Sequence, residues 1–513
     1  MPFIGKRLTG FHKRLDTIIP PQEINALLCL QQMKSFHALY IRENKRGKLF
    51  MAHTLTETQM AQATKKTQAL TLVIVCVGYF MVVLDTTIVN VALPAIQSNL
   101  GASVSELQWI VDGYVLAFAC LLLTAGALGD RFGARQVFLL GIALFTAASI
   151  LCGEAPTIAI MIVARIIQGI GAALIIPATL ALVNEAYPDS KARARAVSIW
   201  GAIASLGLAV GPLVGGILVD TLGWRSIFMV NIPFGIAGIV VAWRFIRPST
   251  RVKESSLDLG AQFMAIITLA ALTAAFIEGK TLGWNSPFIL GAFIVSLAGL
   301  VVFLLLEHRA PAPMLPLKLF ANPTFTATNV AGLLLNFGFY GQIFILSLFF
   351  QQARGLSSLE TGLAFLPLAG STSLASALIG RFASHTSPRL AITCGLLLSG
   401  IGSLGLLFTT TAGSLLLTEC FLFLIGSGVG LAGPQLITAM LLHTPQGRAG
   451  IAGGVLNAAR QTGGALGVAL LGIFISQDHP ALLINGLHIA AVIAGAAFLA
   501  GWAITVRYVT REQ

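Results

Sequence analysis

The sequence predicts an all-α, polytopic membrane protein with 14 transmembrane helices. Three observations lead there. Apolar residues make up 56% of the 513 positions and charged residues only 10%, with a mean hydropathy of +0.85; a soluble chain needs far more charge to cover its surface. The apolar residues come in blocks of about 20, long enough to cross a hydrocarbon core of about 30 Å. Lysine and arginine fall in alternate loops between those blocks, as they do when topology is set by positive charge.

The blocks lie at 70–95, 107–128, 137–153, 157–182, 196–219, 226–246, 257–278, 288–306, 324–349, 360–380, 389–409, 414–441, 451–475 and 485–506. With the N-terminus placed in the cytoplasm, the cytoplasmic loops and tail hold 16 basic residues and the outer loops only three, Arg225, Lys280 and Arg354. Both termini are then cytoplasmic. The net charge of +12 therefore reports topology rather than a nucleic-acid surface. Short loops and the lack of a eukaryotic targeting sequence point to a bacterial inner membrane.

Residues 1–69 form a basic, polar arm with no signal-peptide pattern. Two readings fit it: a cytoplasmic arm, or a true start at Met51. The six cysteines (Cys29, Cys76, Cys120, Cys152, Cys394 and Cys420) show neither metal spacing nor a disulfide framework. No metal or cofactor is expected.

The chain also repeats itself. "GIGAALIIP" at 169–177 matches "GSGVGLAGP" at 426–434, "YPDS" stands 257 residues before "TPQG", and "GDRFGAR" at 129–135 has a decayed partner in "GRFASHT" at 380–386. Span four thus pairs with span twelve. This predicts a six-helix bundle over 70–246, two inserted helices within 247–323, a second bundle over 324–506 and a short tail, 507–513. Two similar bundles around a central cavity are a transporter plan.

Polar residues inside the spans carry the chemistry. In "FMVVLDTTIVNVALPAI", 80–96, Asp85 interrupts an apolar run. Arg165 lies inside span four. At about 1.5 Å per residue, Asp85 sits roughly 9 Å, Arg165 roughly 12 Å and Asp112 roughly 7 Å from the outer face. A charge in the bilayer core costs several kcal/mol unless paired or hydrated. Asp85 and Arg165 are therefore expected to meet, either as a static pair fixing the packing or as a titrating site coupled to transport. Thr86, Thr87, Asn90 and Gln168 are expected to supply hydrogen bonds around them. In the second half, "NAARQTGG" puts Asn457, Arg460 and Gln461 near mid-membrane. Glu419 and Glu278, near outer span ends, are further candidate acids.

Two glycine motifs suggest moving parts. In "GALGDRFGAR", Gly126, Gly129 and Gly133 permit a tight turn while Asp130, Arg131 and Arg135 offer charge-assisted links, the composition of a gate latch. In "GLAVGPLVGG", Gly207, Gly211 and Gly215 recur every four residues on one helix face, and Pro212 bends that helix. The chain lacks a phosphate-binding loop for ATP, an HExxH motif and a soluble catalytic domain. Transport without a built-in ATPase, and no enzyme activity, are expected.

Together these motifs resemble the major facilitator superfamily, in particular its 14-span drug:proton antiporter family of multidrug and quaternary-ammonium efflux pumps. "LDTTIVNVALPAI", "GALGDRFGAR", "RIIQGIGAALIIP", "GLAVGPLVGG" and "WRSIFMVNIP" carry the likeness, which covers about 70–506. The resemblance implies a major facilitator fold, with Asp85 as the proton-coupling acid, Asp112 as a supporting acid and Arg165 as a relay. It also implies Asp130 and Arg131 as gate residues and Gly211 and Pro212 as the antiporter bend. The implied function is proton-coupled export of amphipathic, often cationic drugs, dyes or biocides by alternating access. The expected partners are the proton, such small molecules and the lipid bilayer, with the chain acting as a monomer, with or without accessory export proteins. Two alternatives remain: a narrower exporter of a metabolite, siderophore, amino acid or lipid, and a non-transporting membrane sensor or scaffold.

Overall fold

Polar caps, most of them just outside the apolar blocks, set where most helices begin. The computed structural model of the chain describes residues 51–246, 258–310, 313, 315–382, 386–445, 448–475 and 480–510. Residues 1–50 of the expected arm, the basic positions Arg247, Arg251 and Lys253, residues 383–385 of "GRFASHT" and the last three tail residues lie outside them. The chain divides into two units, Met1–Thr64 and Lys65–Gln513. Within the first, residues 51–64 are helical.

Among the described residues every regular element is helical. The second unit runs α1 (Thr67–Leu100), α2 (Val104–Phe132), α3 (Ala134–Gly153), α4 (Ile158–Ala186), α5 (Ser190–Leu222), α6 (Ser226–Phe245), α7 (Leu259–Leu282) and α8 (Pro287–Arg309). It continues with α9 (Pro323–Ala353), α10 (Ser358–Arg381), α11 (Pro388–Phe408), α12 (Leu415–Leu442), α13 (Ala449–Gly472) and α14 (Leu483–Tyr508). Thirteen of these are long and apolar enough to span a bilayer. The exception is α13, whose Asn457, Arg460, Gln461 and glycine run make it too polar by composition alone. It nevertheless forms a 24-residue helix packed against α9 and α2.

The helices overrun the apolar blocks because polar residues cap them. Ser103 accepts the amide of Glu106, and the Glu106 carboxylate accepts the amide of Ser103. Ser357 and Glu360 repeat that reciprocal cap at the start of α10. Each such cap contributes about 1 kcal/mol. Thr157, Asp189, Asp258, Ser286, Asn322 and Ser387 cap further helices.

Glycines bring helices together in both stretches that the sequence repeat relates. A Cβ on Gly169 of α4 would collide with the Tyr114 carbonyl of α2, and one on Gly426 of α12 with the Leu368 carbonyl of α10. Gly171 and Gly141 bring α4 against α3 in the same way that Gly428 and Gly395 bring α12 against α11. Small residues at such crossings let backbones approach closely, which drives association where lipid removes the hydrophobic term.

α7 and α8 pack on each other. Along α7, Glu278 accepts from the Trp109 indole at 2.9 Å, Gln262 donates to the Cys120 carbonyl at 2.8 Å, and Lys280 donates to the Ile475 carbonyl at 2.8 Å. This helix therefore touches both α2 and the chain just beyond α13. α8 leaves Ile294, Leu297, Val301 and Leu305 exposed, a lipid-facing surface.

Candidate functional site

Asp85 and Arg165 meet. Arg165 Nη1 lies 2.5 Å from Asp85 Oδ2, and both side chains are fully buried. α1 supplies the acid and α4 the base. Tight glycine crossings bring α4 against α2 and α3, and the guanidinium inserts between the helices. Its Nε donates to the Ile110 carbonyl at 3.0 Å, and its face stacks over the Tyr114 ring at 4.2 Å. Tyr114 is held in turn by its hydroxyl, which donates to the Val82 carbonyl at 3.2 Å.

The carboxylate is fully engaged. Its Oδ1 accepts from Gln168 Nε2 at 2.8 Å and from Asn231 Nδ2 at 3.3 Å. Gln168 also accepts from Arg165 Nη1 at 2.7 Å and donates to the Ser149 hydroxyl at 2.9 Å, which Asn231 also reaches at 3.3 Å. Four helices thus contribute to one network: α1, α3, α4 and α6. Ion-pair attraction offsets desolvation only when the remaining polar atoms find partners, and here nearly all of them do; the Oδ1 of Asn231 is buried without one among the described residues.

Asp112 is the contrast. It too is fully buried, yet neither carboxyl oxygen has a hydrogen-bond partner among the described residues. It lies apart from the Asp85 network, although its neighbours Ile110 and Tyr114 both touch Arg165.

The family model for the Major Facilitator Superfamily matches residues 75–277 and again 255–468. The chain belongs to that superfamily. Within it, the chain is 36% identical to a methylenomycin A resistance protein of Streptomyces coelicolor, over 85% of this chain and 91% of that one. It is 38% identical to the multidrug resistance protein Stp of Mycobacterium tuberculosis, over 79% and 76%. It is 36% identical to the drug efflux pump JefA of the same species, over 82% of each. The drug:proton antiporter resemblance is borne out at the level of these relatives. A crystal structure of a peptide transporter POT superposes with a TM-score of 0.63 at 16% identity, covering 86% of this chain and 96% of that one. The human organic anion transporter MFSD10 gives 0.59 at 17%, covering 85% and 99%. Both likenesses concern the fold. The chain is a multi-pass membrane protein with the major facilitator fold.

Other expected site residues of this superfamily member are dispersed. Thr86 and Asn90 bond to carbonyls of their own helix, Val82 and Thr86, and not to Asp85. Thr87 also turns back to its own helix, at Leu84. Asp130 and Arg131 are exposed and pair with no described residue, while Arg135 donates to the Trp243 carbonyl at 2.5 Å. Gly126 and Gly129 have open space where a Cβ would stand, and Gly133 turns the chain at φ 96°. Gly207, Gly211 and Gly215 form the face of α5 against Phe80, Thr87 and Ile88 of α1. On the next face, Gly216 abuts Ser358 and Leu359 of α10, and the Pro212 carbonyl abuts Gly362. Glu278 binds Trp109. Glu419 is half-buried and bonds to no described residue.

Ser149 and Asn231 escaped the sequence reading. Nothing marks Ser149 among the small residues of α3. Asn231 stands within "WRSIFMVNIP", where an amide in an apolar run was the available signal.

Proposed function

We propose that this chain is a proton-driven exporter of amphipathic small molecules, working by alternating access in a bacterial inner membrane, as a monomer with both termini cytoplasmic. The two repeats, 70–246 and 324–506, are the moving bundles, and 247–323 supplies the inserted pair. The relatives' names as resistance and efflux proteins support the export reading. The charge chemistry supports the coupling.

The observation that carries the coupling is the inequality of two buried acids. Asp85 is answered by a cation and two amides. Asp112 has no donor and no cation among the described residues, so a negative charge there would go uncompensated by them. In this reading Asp112 carries the transported proton in the present conformation, and the Asp85–Arg165 pair couples α1 to α4. Proton release follows when helix movement brings water or a donor to Asp112. Asp130 and Arg131 latch the cytoplasmic side in the opposite conformation.

Inverted proteoliposomes with an acid lumen test this. Wild-type protein should accumulate ethidium or puromycin against its gradient, and a protonophore should abolish accumulation. Asp112→Asn should bind probe and exchange it passively, yet accumulate none. Normal accumulation by that variant would remove Asp112 from the coupling. Absence of gradient-driven movement of any amphipathic probe by wild-type protein would remove the export reading.

A further inference from the structure

Arg460 is a membrane-depth cation with no counter-ion among the described residues. It lies midway along α13. No carboxylate of a described residue pairs with it, in contrast to Arg165. Its one hydrogen bond to a described residue is from Nε to Asn336 Oδ1 of α9, at 3.3 Å. Both terminal guanidinium nitrogens, the fork that recognises carboxylates, bond to no described residue.

The surroundings are arranged around that fork. Gly332, Asn336 and Tyr340 stand four apart on one face of α9. A Cβ on Gly332 would crowd the Arg460 stem at 3.2 Å, so the glycine leaves room for it. Arg460 lies within electrostatic reach of the Tyr340 phenol and of Tyr79 on α1. Tyr79 stacks on Trp200 of α5 with ring centroids 4.1 Å apart. Arg460, Tyr79, Tyr340 and Trp200 are each only partly buried, and they come from α13, α1, α9 and α5. Asn457 stands one turn before Arg460 on α13, at three-residue spacing, while Gln461 is the next residue round the helix; the amides of both bond to no described residue.

An unneutralised arginine at this depth costs at least about 3 kcal/mol by insertion measurements. Packing gives no return for it, since its terminal nitrogens satisfy no described residue. We infer that Arg460 is the anion-recognition residue of the transport site, and that the chain takes amphipathic carboxylates, with the acid on the guanidinium and the apolar body against Tyr79, Trp200 and Tyr340. This departs from the expected preference for lipophilic cations. It rests on the export reading for its physiological meaning, but its test is equilibrium binding.

The probes are a matched pair, 1-pyrenebutyrate and 4-(1-pyrenyl)butyltrimethylammonium, titrated against protein in nanodiscs of phosphatidylcholine, with tryptophan quenching as readout. Wild-type protein should bind the carboxylate at least about tenfold more tightly than the cation, as expected for a charge-assisted bidentate contact. Arg460→Gln should erase that preference. Arg460→Lys should retain part of it, and Asn336→Ala should weaken it less. Arg460→Gln should also leave Tm unchanged or raised, because it removes an unpaired charge. A second titration in phosphatidylglycerol nanodiscs identifies the source of the anion: competition means that lipid headgroups share the site, and undiminished affinity means that soluble carboxylates are its ligands. Equal affinity for both probes in wild-type protein, or a preference that survives Arg460→Gln, overturns the assignment. Gradient-driven ethidium transport in the same preparation would leave the export reading standing.

Discussion

The Asp220 carboxylate at the end of α5 accepts the backbone amide of Leu359 at 2.9 Å, and that of Ser358 at 3.2 Å, so a side chain from one half holds the first turn of α10 in the other. Neighbouring cross-contacts gather at the same end of the molecule. Gln352 donates to Gln97 at 2.6 Å, Gln351 to the Val91 carbonyl at 2.9 Å, and Gln108 to the Val468 and Ala469 carbonyls. At the opposite end Gly126 and Gly129 have no described atom where a Cβ would stand, and Asp130 and Arg131 are exposed. The conformation is thus closed at the Asp220 end. Since Asp220 is exposed, its two charge-assisted bonds are discounted for solvent. Asp220→Ala should cost this closed state about 1 kcal/mol, shifting the two-state ratio roughly fivefold. Spin labels at Leu222 and Phe408, read by double electron–electron resonance, should show the longer distance gaining population; an unchanged distribution would mean that the contact does not hold the end shut.

The buried pair predicts a stability pattern. Asp85→Asn leaves Arg165 fully buried opposite a neutral amide, and loss of one partner costs about 3–5 kcal/mol. Arg165→Gln strands the carboxylate instead. The double variant Asp85→Asn/Arg165→Gln removes both charges and should regain most of the lost Tm while remaining unable to couple transport. Additive losses in the double variant would show that the two side chains stabilise the protein independently.

The ion pair was legible because two opposite charges at similar depth in apolar spans have few stable outcomes. The fold was legible for the same reason: composition, block length and charge bias all act in one direction. The internal repeat could be seen as glycines and prolines at a fixed offset because those residues mark backbone crossings. What surrounds the charges was not legible. Thr86 and Asn90 have the right chemistry, but their own helix offers carbonyls one turn away and takes those bonds first. Ser149 and Asn231 reach Asp85's network only because α3 passes beside α4 and α6 beside α3, a tertiary fact with no local signature. α13 falls short on hydropathy taken by itself, yet its place in the run of apolar blocks, at 451–475, marked it as a span, and it is a helix.

The glycine face of α5 gives a double-mutant test. A Cβ on Gly211 would strike the Thr87 hydroxyl, and Thr87 is stiff at χ1. Gly211→Ala should cost about 1–3 kcal/mol by overpacking and slow transport, because α1 and α5 can no longer pack closely. Adding Thr87→Ala removes the struck oxygen and should restore part of both Tm and rate. If Gly211→Ala behaves as wild type, close packing of α5 on α1 is dispensable.

Glu278 separates a titrating acid from a plain hydrogen-bond acceptor. It accepts the Trp109 indole N–H from α2, which ties α7 to a helix that carries Asp112 one turn further on. The amide oxygen of Gln can accept the same bond without charge. Glu278→Gln should therefore leave Tm and the pH profile of gradient-driven transport nearly unchanged. Trp109→Phe removes the donor and should lower Tm by an amount equivalent to about 1–3 kcal/mol, the cost of an acceptor deprived of its partner in a partly buried site. A pH profile displaced in Glu278→Gln, with Tm intact, would instead make Glu278 a second proton site, and the α7–α2 tie would then belong to the coupling machinery.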